Sequence, residues 1–187
     1  MATRPERSRW SYADFARLPS DDGNRYEVIA GVLHVTPSPR SLHQLIAVRL
    51  GQLLNGFAED HRLGWVFGPV DVLFAEGDYL APDLVFIRRD RREIISDRGI
   101  EAAPDLVIEI LSDSTARRDR GLKRERYALY GVAEYWVVDP DARTIDVHRL
   151  KDRAAHPITA SDAFDWRPVP GGPALTIPAP EVLRGFE

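Results

Sequence analysis

The sequence predicts a mixed-sheet α/β or α+β domain with helices packed against one central sheet. Three observations carry this prediction. Between residues 41 and 58, Leu42, Leu45, Ile46, Leu50, Leu53 and Leu54 recur at helical spacing and form one apolar stripe. Residues 80–87, 103–111 and 134–138 are short apolar runs of strand length. The run at 103–111 is nearly continuous, as in a strand buried on both faces. A second helix, residues 115–130, fills the space between the last two runs, and Gly131 stops it.

The remaining elements follow from local chemistry. Residues 1–20 read as a charged lead-in with a short helix around 11–18, for which Ser11 is the candidate cap. Residues 25–35 read as two short strands turning at Ala30-Gly31. Pro37 and Pro39 make residues 36–40 a loop, because two prolines in so short a span block both helix and central strand. Residues 65–67 and 70–74 read as strands paired around Gly68-Pro69, and Pro82 opens the strand at 80–87. The basic stretch 88–98 reads as a loop with a helical turn. Asp139-Pro140 ends the strand at 134–138, and 144–149 is its hairpin partner. The tail, residues 167–187, is rich in Pro and Gly; five Pro and two Gly between 167 and 180 allow only short edge strands or extended coil. With no internal repeat and no linker, one domain over residues 1–187 is expected.

Composition excludes several classes. There is no cysteine, which removes disulfides, thiolate metal sites and a cysteine nucleophile. No apolar run approaches the roughly 18 residues that a membrane span needs, and the charged start lacks a signal-peptide core, so the expected location is cytoplasmic. A net charge of −4 argues against polyanion binding by the whole surface. Charge is uneven, however: residues 88–98 carry +2 and residues 117–126 carry +4. These stretches are either phosphate contacts or a solvated loop and helix face. The 25 basic residues comprise 23 Arg and two Lys, Lys123 and Lys151. A bias toward Arg makes each retained Lys a place where Arg does not serve, or a chance survivor.

Two segments share a form: Pro82-Asp83-Leu84-Val85-Phe86 and Pro104-Asp105-Leu106-Val107-Ile108-Glu109. Glu109 sits between Ile108 and Ile110 in a run that should be buried, where a lone carboxylate is costly unless paired or bound to metal. Asp83 and Glu109 on neighbouring strands form a candidate pair for a hard cation, which takes one or two carboxylates plus waters and phosphates. A salt bridge to an Arg is the competing reading of Glu109, and a strand-entry contact that of Asp83. Phosphodiester hydrolysis also needs a cation near the attacking or developing charge. Lys123 lies in the helix after the Glu109 strand and is a compact charge of that kind. Asp119, Lys123, Arg126, Tyr127 and Tyr130 fall at i, i+3/i+4 spacing on one face. An exposed Lys123 paired with Asp119 is the competing reading.

Pro82-Asp83, the run Pro104-Asp105 to Glu109 with Ser112 and Ser114, then Asp119…Lys123…Tyr127, and finally Gly131-Val132-Ala133-Glu134-Tyr135-Trp136 through Asp139-Pro140 together resemble the Uma-two family of endonucleases. The segment Arg25-Tyr26-Glu27 to Gly31 and His43 also match. That family belongs to the PD-(D/E)XK nuclease superfamily, so the resemblance implies a restriction-endonuclease-like core. It further implies that Asp83 and Glu109 bind Mg²⁺ (or Mn²⁺) with help from the Ile110 carbonyl, and that Glu27 and His43 line the site. Tyr127 is expected as core or site wall. In the superfamily pattern a Lys stands two residues after the second acid; Leu111 holds that position here, and Lys123 is the displaced counterpart. His43 also fits a plain packing role at the helix start.

The expected function is metal-dependent hydrolysis of phosphodiester bonds in DNA. The alternatives are a non-catalytic nucleic-acid-binding or assembly module on a nuclease fold, and a hydrolase of another phosphorylated substrate. No membrane partner is expected. A homodimer is the expectation, by analogy of fold, for a short chain that must cut both strands.

Overall fold

A computed structural model describes residues 10–19, 22–152 and 156–186. The chain opens with α1 (Tyr12–Phe15), capped by Ser11 in a reciprocal box with Asp14. Strands β1 (Asn24–Ile29) and β2 (Val32–Pro37) form a hairpin whose two turn residues, Ala30 and Gly31, both have positive φ. That is the turn type whose twist suits a two-residue hairpin. Helix α2 (Ser41–Asp60) follows, two residues longer than the expected 41–58.

Next come β3 (Gly64–Phe67), β4 (Val72–Ala75), β5 (Asp78–Leu80) and β6 (Leu84–Arg88). A 3₁₀ turn, Arg89–Ile94, leads to the short strands β7 (Ile95–Ser96) and β8 (Gly99–Ile100), and then to β9 (Leu106–Ile110). The helical segment after β9 has three parts: α3 (Ala116–Arg118), a π-helical turn (Asp119–Lys123) and α4 (Arg124–Tyr130), ended by Gly131 in the left-handed conformation. Strands β10 (Glu134–Asp139) and β11 (Thr144–Arg149) form the expected hairpin. The 3₁₀ turn Leu150–Asp152, β12 (Ile158–Ala160), β13 (Ala163–Trp166), β14 (Leu175–Pro178) and α5 (Ala179–Leu183) complete the chain.

The mixed α/β expectation holds, but the single central sheet becomes two. One six-stranded sheet runs β2-β1-β5-β4-β8-β7 and the other β12-β11-β10-β9-β6-β3, with β13-β14 a separate pair. Three sequence expectations are corrected accordingly. Residues 65–67 and 70–74 do not pair: β3 joins β6 in one sheet, and β4 joins β5 and β8 in the other. Residues 80–87 are not one strand. Pro82 lacks an N–H and cannot continue a ladder, so Ala81-Pro82-Asp83 carries the chain from β5 in the first sheet to β6 in the second. The tail is more ordered than its Pro and Gly content suggests. Trp166, Ile177, Ala179, Val182 and Leu183 are all buried in the core formed with α2.

The second sheet is the partition of the molecule. Leu84, Phe86, Leu106, Ile108, Ile110, Trp136 and Val138 face α2 and α5. Val85, Ile87, Val107, Tyr135 and Val137 face the first sheet and α4. Strand alternation puts Glu109 on this second face with Val107 and Leu111. β9 pairs parallel with β10 through the helical crossover and antiparallel with β6.

Candidate functional site

β6 begins at Leu84, opposite Ile108 of β9, so the last residues of β9 run past the start of β6. Ile110 therefore has no β6 ladder partner, and its N–H is taken instead by the Asp83 carboxylate, at 2.8 Å from Oδ2. A pocket of about 260 Å³ opens at this point. β1, α2, the β5–β6 crossover, the end of β9 and the helical segment after it all contribute to its wall.

Asp83 is 2 % exposed. Besides Ile110 N–H, its Oδ2 meets His43 Nε2 at 3.0 Å and its Oδ1 meets Arg25 at 2.7 Å. Burial by itself would raise this carboxyl, but the hydrogen bond and charge of His43 and the Arg25 guanidinium outweigh it and hold the pKa at about 2.

Glu109 and Lys123 are equally buried. Lys123 Nζ lies 2.9 Å from Glu109 Oε1 and 2.7 Å from Glu27 Oε1, with Asp119 Oδ1 at 3.6 Å. The Tyr127 hydroxyl donates to the same Glu109 oxygen at 2.6 Å. Glu27 Oε1 also accepts the Ala81 N–H, which ties β1 to the crossover. The π-helical turn brings Asp119 and Lys123 inward together; such turns recur at functional sites. Four buried carboxylates (Glu27, Asp83, Glu109, Asp119) thus face three permanent cations (Arg25, Arg118, Lys123). Burial and the neighbouring acids push Glu109 up to about 8, against the pull of Lys123. Burial raises Asp119 as well. Burial would lower Lys123, but Glu109, Glu27 and Asp119 overcome it and hold the ammonium above its ordinary pKa. Among the described residues, the buried side-chain atoms without a hydrogen-bond partner are His43 Nδ1, Arg118 Nε and Asp119 Oδ1, and all belong to this pocket. Buried polar groups without a partner are uncommon in folded proteins, and here they gather in one place.

No group of three or more His, Asp or Glu side chains forms a ready-made metal cage among the described residues. The donor set nevertheless fits one hard cation. A carboxylate offers about four lone-pair positions. Asp83 uses three and Glu109 two for the described donors, which leaves oxygen capacity on both acids. One or two carboxylates completed by water and phosphate is the set Mg²⁺ takes.

Asp83, Glu109, Ile110, Lys123, Glu27 and His43 all line this pocket, and Tyr127 lies in the core and donates to Glu109. Of the competing readings, the buried salt bridge at Glu109 is present, with Lys123 in place of an arginine, whereas Lys123 is buried rather than exposed, its contact to Asp119 being the longest of three. The single helix face divides: Asp119, Lys123 and Tyr127 turn to Glu109, whereas Arg126 and Tyr130 bind Asp78. The basic stretches are largely spent inside the molecule. Arg118, Arg120, Lys123 and Arg126 bind Glu27, Asp139 with Asp146, Glu109 and Asp78 respectively. Arg88 and Arg91 bind Asp105, and Arg98 binds Glu101. Arg25 and Arg118 were missed as site residues. Alternation along β1 was the available signal for Arg25, because it shares a face with Glu27 two residues on.

No helix among the described residues is long and apolar enough to cross a membrane. The fold is similar to that of a crystal structure at 1.96 Å of a "putative nuclease belonging to DUF820" from Anabaena variabilis ATCC 29413. The TM-score is 0.69 and the identity 22 %, with 82 % of this chain and 85 % of that chain covered. A comparison with curated proteins finds no match. The pattern of the Uma2 family, described as "Putative restriction endonuclease", matches residues 12–179, nearly the whole chain, and the protein belongs to that family.

Proposed function

We propose that this chain is a divalent-metal-dependent endonuclease that hydrolyses phosphodiester bonds of DNA. The observation that carries the reading is the Lys123 ammonium, 2.9 Å from Glu109 at the floor of the pocket that Asp83 also lines. Two acids and a lysine thereby line one pocket, although the lysine arrives from the helical segment after β9 and not from position 111, where Leu111 packs into the core.

In this reading Asp83 and Glu109 hold Mg²⁺ or Mn²⁺, with the backbone of Ile110 beside them. When bound, such a metal polarises the phosphoryl oxygen and lowers the pKa of its water. Lys123 is held cationic by its carboxylate neighbours and donates hydrogen bonds to the attacking water or to a non-bridging oxygen. Glu27 fixes the ammonium, Tyr127 orients Glu109, and His43 orients Asp83. Arg25 and Arg118, both on the pocket wall, face the charge of an entering phosphate.

The test compares Mg²⁺-dependent cleavage of single- and double-stranded DNA by the native protein, Asp83→Asn and Glu109→Gln. Circular dichroism checks the fold, and calorimetry measures metal uptake. Loss of both cleavage and metal uptake in the two folded variants is expected. Undiminished cleavage in both, or no metal uptake by the native protein, overturns the reading.

A further inference from the structure

The oxygens of Asp83 and Glu109 are not equally open to a cation. Asp83 Oδ2 already faces the Ile110 N–H at 2.8 Å and His43 Nε2 at 3.0 Å, which occupy its two lone pairs. Glu109 Oε1 likewise accepts from Lys123 and from the Tyr127 hydroxyl. The capacity left for a cation held by both acids is on Asp83 Oδ1 and Glu109 Oε2. No described residue donates to Oε2. Oδ1 has one holder, the Arg25 guanidinium at 2.7 Å. Burial opposes the charge of Arg25, but Asp83, Glu109 and Glu27 sustain it, so it stands as their counter-ion. A metal ion on Oδ1 would share that atom with this permanent positive charge, and the two repel.

The hold on Arg25 is of a kind that can be exchanged. Both of its hydrogen bonds use Nη1, one to Asp83 and one to the Ala81 carbonyl at 3.4 Å. The arginines that lock the fold are bound at two nitrogens. Arg126 grips both oxygens of Asp78 through Nε and Nη2, and Arg120 joins Asp146 to Asp139 through Nη1 and Nη2. Arg25 is also the most open of the three permanent cations of the pocket. Its side chain is 24 % exposed, against 16 % for Arg118 and 3 % for Lys123. There is room for it to move: a concavity of about 390 Å³ along α2 adjoins the pocket, and Arg25 lines both. Once released from Asp83, the guanidinium has its whole fork for a phosphate, the anion it matches by two-point geometry.

We propose that Arg25 is an exchange residue that couples metal binding to nucleic-acid binding. It neutralises Asp83 in the metal-free protein, yields Oδ1 to the arriving cation and carries its charge to a phosphate of the substrate. Metal thereby frees Arg25 for phosphate, phosphate frees Asp83 for metal, and the linkage is reciprocal. The proposal rests on the metal site of the nuclease reading and adds how that site is kept neutral and what opens it.

The experiment titrates Mg²⁺ by calorimetry into the native protein, Arg25→Gln and Arg118→Gln, without nucleic acid. Arg118, which faces Glu27 at 3.4 Å, reports the effect of removing a wall charge that is not on Asp83. Arg25→Gln is expected to bind Mg²⁺ at least about tenfold more tightly than the native protein, and Arg118→Gln to stay within about threefold of it. A purely structural role for Arg25 predicts the opposite sign, weaker binding by a disturbed site. Fluorescence anisotropy of a labelled oligonucleotide, with and without Ca²⁺, reads the coupling. The gain in affinity on adding Ca²⁺ should be at least about fivefold in the native protein and should fall to less than about half of that in Arg25→Gln. Should Arg25→Gln fail to fold by circular dichroism, a native crystal soaked in Mn²⁺ answers the same question, because Arg25 should then have left Asp83. Unchanged or weaker Mg²⁺ binding by folded Arg25→Gln, an equal gain in Arg118→Gln, or Arg25 still on Asp83 beside a bound Mn²⁺ overturns the exchange while the nuclease reading stands. The expected Mg²⁺ and Ca²⁺ results in a native protein that cuts no DNA support the exchange and remove the nuclease reading. No metal uptake by the native protein removes both.

Discussion

The two Pro-Asp pairs have the same sequence form and nearly the same local structure, yet they stand at opposite ends of one sheet. Asp83 precedes β6 and accepts the Ile110 N–H at the end of β9. Asp105 precedes β9 and accepts the Arg88 N–H at the end of β6. Each aspartate caps the other's strand, and because β6 and β9 are antiparallel the two caps lie at opposite edges. Their surroundings differ. Asp83 is joined by Glu109, Glu27, Asp119 and a buried lysine. Asp105 meets two partly exposed arginines, and its nearby lysine, Lys151, is solvent-exposed beside a shallow concavity with Glu134. An identical dipeptide thus serves a strand end in both places, and what surrounds it decides whether it also enters a charged pocket.

Substitutions at the two ends should separate them sharply. At the Asp83 end, Glu109→Gln and Asp83→Asn should each lower Mg²⁺-dependent cleavage by more than about 1,000-fold, the scale of several kcal/mol of lost charge stabilisation. Asp105→Asn should leave cleavage in place. It should cost about 1–2 kcal/mol of stability in urea titrations, since its arginine partners are partly solvated. A loss of cleavage in Asp105→Asn comparable to that of Asp83→Asn breaks the distinction between the ends.

The lysines give the next largest contrast. Lys123→Arg should slow cleavage by about 100- to 1,000-fold, because a planar fork cannot take the place of a compact ammonium between Glu27 and Glu109. Lys151→Arg should be silent in the same assay.

Titration sharpens the comparison further. The ionised Glu109 carboxylate is the form that takes a cation, and its pKa is pushed up to about 8. Metal affinity measured by calorimetry should therefore rise about tenfold per pH unit below pH 8 and level off above it. Without metal the sign for stability is the reverse. A carboxyl whose folded pKa lies above its ordinary 4.5 favours the folded state while protonated, so this contribution is lost as pH rises from about 4.5 through 8. Asp83 acts oppositely. Its pKa is held at about 2 against an ordinary 3.8, so its contribution is full above pH 3.8 and lost as pH falls through 2. Asp83→Asn should flatten acid unfolding in that lower window, whereas Glu109→Gln should flatten the fall in metal-free stability between pH 4.5 and 8.

Much of this was legible in the residues. The α2 stripe, the caps at Ser11 and Gly131, the Ala30-Gly31 turn and the β10–β11 hairpin are set by contacts within a few positions of one another. Glu109 stood out because an acid inside an apolar strand needs a partner, and Lys123 because so few lysines remain among the arginines. Arg118 was not legible, since a guanidinium that closes a pocket looks in the sequence like any other arginine, whereas Arg25 left one unused signal, its alternation with Glu27 along β1. The pairing of β3 and β4 misled for a related reason: nearness along the chain suggested a hairpin, and the competing partners were distant.

Local chemistry in the chain was sufficient for most of the elements in their order and for singling out Asp83, Glu109 and Lys123 as candidates, but not for the break at Pro82. The elements and the candidates depend on backbone geometry, on side-chain periodicity and on the cost of burying a charge, all of which act residue by residue. The division into two sheets, the placement of the two Pro-Asp pairs at opposite ends and the inward turn of Lys123 depended on three-dimensional packing. Strand direction, sheet membership and the closeness of Glu27 to Glu109 are relations between segments far apart in sequence, and they acquire an energy only when those segments come into contact.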